Sequence, residues 1–159
     1  MNHVVRASLI SLALLVALVT PTLASTTSPF VGVFRETFGR GNAPSGVGSV
    51  TGIGQGTETF VITSITPDGN CTIEVAESVL TFAAGEIFLE GVIRICSPGG
   101  SSGTPGSHVS WGNPGGWIGT FVITGGTGAF VGATGSGKSS GQLAGDIIVL
   151  RLNGTITLS

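Results

Sequence analysis

From residue 25 onward, short runs of Val, Ile, Thr and Phe alternate with polar positions and are separated by glycine-rich breaks. Thr57 to Thr66 (TETFVITSIT), Cys71 to Phe82 and Glu86 to Cys96 carry the strand pattern most clearly; Phe30 to Phe38, Trp117 to Thr124 and Asp146 to Leu158 add further strands. No apolar stripe at helical spacing occurs in this part of the chain. Pro67-Asp68-Gly69-Asn70 is a turn in which Pro fixes φ, Asp bonds its own backbone, and Gly and Asn tolerate positive φ. Ala83-Ala84-Gly85 makes a second turn, whereas Ser97 to Gly116 is a long loop without periodicity. Roughly eight short antiparallel strands predict an all-β fold, a closed barrel, with a β-sandwich as the alternative.

Turn lengths set the register. If Ala83 to Gly85 is a three-residue loop, then Ile73, Val75, Val79 and Thr81 face Ile95, Ile93, Leu89 and Ile87 across one apolar face. The opposite face pairs Glu74 with Arg94 and is wet. Continuing through the first hairpin places Phe60 beside Glu77 and Glu58 beside Val79, so Glu77 stands alone on the apolar face with Glu58 diagonal to it. The same register sets Cys71 and Cys96 near each other but on opposite faces, so a bridge between them needs a bulge.

The N-terminus carries different information. His3 and Arg6 precede an uncharged run, Leu9 to Val19 (LISLALLVALV), too short to cross a bilayer; small residues follow up to Ala24. This predicts a signal peptide over 1–24, a secreted protein, and one domain over 25–159 with no membrane association after cleavage. Export makes the only two cysteines, Cys71 and Cys96, an expected disulfide, with two free thiols the alternative. The sequons at Asn70 and Asn153 matter only in a glycosylating host. Charged residues make up 9% of the chain, and the secreted part has five basic residues against eight acidic ones, which leaves no basic surface for nucleic acid.

Gly132 to Ser139 (GATGSGKS) matches the phosphate-binding G-x-x-x-x-G-K-[ST] pattern in full. That chemistry needs a helix after the loop, to aim its N-terminus at the phosphates. The twenty residues that follow contain Gly141 and Gly145 and then a β-branched run, so the match is read as chance and no nucleotide is expected. The wider block Phe121 to Gly137 (FVITGGTGAFVGATGSG) instead resembles a block of secreted bacterial proteins in the allene oxide cyclase and dirigent-like barrel superfamily. The resemblance implies an eight-stranded antiparallel barrel with a central cavity, often oligomeric, which in the plant members holds hydrophobic substrates. It also implies that Phe130 tucks back as a plug and that Lys138 is an exposed strand or turn residue. None of the plant enzymes' catalytic residues can be placed on this chain.

Candidate chemistry is sparse. Glu77 and Glu58, if both face an apolar lumen, would form a carboxylate pair with one raised pKa. Phe60, Ile93, His108 and Trp111 are candidate ligand contacts, the last two in the long loop. No tyrosine, no Ser-His-Asp spacing and no metal-ligand cluster is present, so neither metal nor cofactor is expected. The leading expectation is a secreted barrel that binds a small hydrophobic molecule without catalysis. The alternatives are a cyclase-like or dirigent-like enzyme that steers a reactive intermediate, and a structural protein with a filled barrel. Homo-oligomerisation is compatible with each.

Overall fold

The computed structural model describes residues 24–37, 45–96, 116–144 and 147–159. Eight strands form a closed antiparallel barrel, β1 (Thr26–Thr37), β2 (Ser45–Val50), β3 (Gly54–Asp68), β4 (Cys71–Phe82), β5 (Gly85–Cys96), β6 (Gly116–Gly126), β7 (Thr134–Ala144) and β8 (Ile147–Leu158), each paired with its sequence neighbours and β8 with β1. Closure removes every sheet edge, which a sandwich would leave open. Residues 1–23, on which the signal-peptide expectation rests, lie outside the described residues.

The interior is built from an aromatic-on-glycine code. Phe34 stands opposite Gly48 on the neighbouring strand, Phe82 opposite Gly56, Phe121 opposite Gly137 and Trp117 opposite Gly141. A Cβ on Gly48, Gly56 or Gly137 would come within 2.7 Å of the partner's ring, so each ring lies on a backbone that has no side chain to displace it. Phe30 and Phe34 are fully buried, and the Phe30 and Phe121 rings meet at 5.7 Å. Burying one such ring contributes roughly 2 kcal/mol.

One end of the barrel is plugged. The connection from β6 to β7 makes a single 3-10 turn (Gly128–Phe130) that returns Phe130 beneath the sheet, edge-on to Phe82 at 5.9 Å. Backbone bonds from Thr127 N–H to Glu86 O (2.9 Å) and from Ala129 N–H to Ala84 O (2.9 Å) fasten it to the β4–β5 turn. Gly85, at φ +139, permits that approach, since a Cβ there would collide with Thr127 O. The sequence block therefore does place a strand, a glycine turn and a Phe130 plug.

The β4–β5 turn corrects the expected register. Phe82 pairs with Gly85, so the loop has two residues, Ala83 and Ala84, not three. That one-residue difference turns every β4 side chain over. Glu74, Ala76, Ser78, Leu80 and Phe82 face inward instead of Ile73, Val75, Val79 and Thr81, while Ile87, Leu89, Ile93 and Ile95 of β5 remain inside as expected. It also removes the need for a bulge at the cysteines: Cys71 and Cys96 are direct partners on the outer face and are bonded to each other. A bulge occurs elsewhere, between Ile62 and Ser64 of β3, where the Thr63 hydroxyl donates to Val75 O at 3.3 Å.

The bridge spans 25 residues of sequence and indicates an oxidising environment. A loop of that length restricts the unfolded chain by about 3 kcal/mol. Reduction, or paired Cys71→Ser and Cys96→Ser substitution, is expected to lower the melting temperature by about 10 °C at constant pH, read by circular dichroism. The nearby Arg94–Asp68 ion pair, 2.8 Å but exposed on both sides, adds little.

Candidate functional site

Strand alternation carries three carboxyl groups into the barrel. Phe30, Gly32 and Phe34 face inward on β1, so Glu36 follows them, and its own glycine seat is Gly46 on β2. Glu58 enters from β3 and Glu74 from β4. All three are at least 95% buried. The described basic residues, Arg35, Arg94, Lys138 and Arg151, are all exposed, so none of them is buried with the acids.

Glu36 and Glu58 touch. Burial raises the pKa of Glu58 well above the ordinary carboxylate range, repulsion and the hydrogen bond with Glu36 raise it further, and a bond from the Ser78 hydroxyl opposes them. Burial also raises Glu36, but there the bond to Glu58 acts in the lowering direction. The proton therefore sits on Glu58, which donates to Glu36 and accepts from Ser78. Glu74 is raised by burial, against a weak bond (3.4 Å) from the Thr72 hydroxyl. Among the described residues, two inward polar atoms are buried without a hydrogen-bond partner: Glu58 Oε2, and Ser139 Oγ on β7, four strands round the barrel on the opposite wall.

The sequence candidates separate accordingly. Glu58 is inside, but its partner is Glu36, not Glu77. Glu77 is corrected to the outer face, exposed and opposite Glu90, by the same two-residue turn. Phe60 and Ile93 face inward and are half-buried. His108 and Trp111 lie outside the described residues. Residues 134–139 of the phosphate-loop match lie in β7, with Lys138 exposed between Thr120 and Asn153 and Ser139 turned inward. Among the described residues no group of three His, Cys, Asp or Glu side chains is placed to hold a metal ion.

No protein-family model matches the chain. No curated protein matches it either. Among solved structures, one titled pyocyanin demethylase aligns over 82% of this chain and 99% of its own, at 23% identity and a TM-score of 0.36. So distant a likeness says nothing of this chain's chemistry, and the barrel's own side chains carry the functional argument.

Glu36 and Glu74 were missed for different reasons. Alternation from Phe34 points to Glu36 directly. Glu74 required the correct turn length, for which the misplaced cysteine pair was the available clue.

The raised acids fix a pH dependence. The folded state holds protons that the unfolded chain releases near pH 4.5, the ordinary glutamate value. The native state thus binds more protons, and stability falls as pH climbs from about 4.5 through the raised values. Glu58→Gln is expected to flatten that decline and to raise the melting temperature at neutral pH by about 4 °C, roughly 1 kcal/mol. Melting curves across the pH range check both expectations.

Proposed function

We propose that this is a secreted barrel that holds a small, largely apolar molecule in one half of its lumen and performs no chemistry on it. The observation that carries the reading is the uneven filling of the interior. Toward the Phe130 plug, inward side chains such as Phe82, Leu80, Ile87 and Phe121 are buried. Toward the other end Phe60, Ala76, Ile93 and Trp117, also inward, are only half-buried. Pockets that take small ligands combine such apolar walls with a few placed polar groups, here Glu58, Glu74 and Ser139.

The proton on Glu58 favours a second reading. A buried neutral carboxyl beside an apolar cavity suits acid catalysis, as the resemblance of residues 121–137 to the allene oxide cyclase and dirigent-like superfamily would imply. The third possibility, a structural barrel, requires the open half to admit nothing.

Native mass spectrometry of the protein purified from its own host separates these readings. A retained small molecule released unchanged on denaturation supports binding; conversion of that molecule by the wild type but not by Glu58→Gln supports an enzyme. A bare protein that also fails to take up any naphthalene probe would leave only the structural role. The same spectrum reports the number of subunits.

A further inference from the structure

The lumen is acidic out of proportion to a purely apolar guest. Every buried charged side chain among the described residues is a glutamate on β1, β3 or β4, and no described Lys or Arg is buried with them. Desolvating three carboxyls costs stability, as their raised pKa values record.

A bare patch lies between these acids. Most inward glycines are covered by a neighbour's ring or side chain, but a Cβ on Gly91 of β5 would meet only backbone oxygens, Thr120 O at 3.7 Å and Ala76 O at 3.8 Å. Its cross-strand partner is Ala76. These two smallest side chains leave the wall uncovered where Phe60 and Ile93 are half-buried. Along β4, Ala76 has Glu74 two residues toward the rim and Ser78, the partner of Glu58, two residues inward. Glu58 Oε2 and, on the opposite wall, Ser139 Oγ are inward, buried and without a hydrogen-bond partner.

We infer that the guest is a small organic cation, an apolar body carrying a protonated amine, whose body lies on the Ala76–Gly91 patch while its N–H groups meet the inward carboxylates and Ser139. This rests on the ligand-binding reading above and specifies it. A protonated amine supplies both the missing countercharge and the missing donors, whereas a neutral hydrocarbon supplies neither and an organic acid would be repelled. The aromatic ring of Phe60 suits the same charge. Because the carboxyls must ionise to pair with the amine, affinity should rise with pH through their raised values.

The test compares naphthylmethylamine, methylnaphthalene and naphthoate by titration calorimetry against the folded, disulfide-bonded protein. The amine is expected to bind at least about tenfold more tightly than methylnaphthalene, with naphthoate weakest, and the advantage should grow between acid and neutral pH. Glu74→Gln and Glu58→Gln should each lower the ratio of amine to methylnaphthalene affinity; two variants at separate sites guard against misfolding of either. Equal binding of the amine and methylnaphthalene would overturn the cationic guest but leave the apolar binding site standing. Binding of none of the three would remove both.

Discussion

Gly48→Val is expected to leave the protein largely unfolded at room temperature. A Cβ at this position would lie 2.7 Å from the Cα of Phe34 and 2.7 Å from its ring, and would also strike the carbonyl of Val33. Two of those three obstacles are backbone, so no rotamer change relieves them, and valine adds two further methyl groups. Overpacking a core of flexible side chains costs about 1–3 kcal/mol; here a strand pair must separate, and at least about 4 kcal/mol is expected. A domain with a total stability of roughly 5–15 kcal/mol loses much or all of it. Gly52→Ala is the control, because Gly52 has nothing within 4 Å and only its φ of +80 resists a side chain. It should cost about 1 kcal/mol. Urea titrations of both variants check the contrast, and equal effects would contradict the ring-on-glycine account of the interior.

Phe130→Ala should cost about 3–5 kcal/mol. Phe130 is 4% exposed, packs edge-on against Phe82 and closes one end of the barrel, so its removal leaves a void that the fastened turn around it cannot collapse to fill. The loss is expected in the denaturation midpoint with the urea m-value unchanged, since the barrel itself persists. A loss below about 1 kcal/mol would mean that Phe130 does not plug the core.

Much of the barrel is legible in the residues because strand alternation and turn chemistry are local. Cys71 to Phe82 is bounded by Gly69-Asn70 and Ala83-Ala84, and the strand runs between those turns as the pattern predicts. What was not legible is register, which depends on one residue more or less in a turn. Ala83-Ala84-Gly85 carries no local mark that says whether Gly85 belongs to the loop or to β5. The deciding contact is made by Thr127 and Gly128, more than forty residues away. From that single ambiguity came the misplaced Glu77, the hidden Glu74 and the apparent conflict between the cysteines. Glu58 is inside because a second irregularity, between Ile62 and Ser64 of β3, also shifts the β3–β4 register, and its partner Glu36 reaches it across β2, where Gly46 stands between them. The glycines were legible as turn formers and not as seats for rings, a role that needs the cross-strand partner to be known.

The most direct test of the interior described here is a carbon-13 NMR titration of the glutamate carboxyl groups in the folded protein, with Glu36 and Glu58 assigned through single glutamine substitutions. The account predicts that Glu58 titrates well above 4.5, that Glu36 is also raised, and that substituting either one changes the titration of the other. A Glu58 carboxyl that ionises in the ordinary range, unaffected by Glu36→Gln, would contradict it.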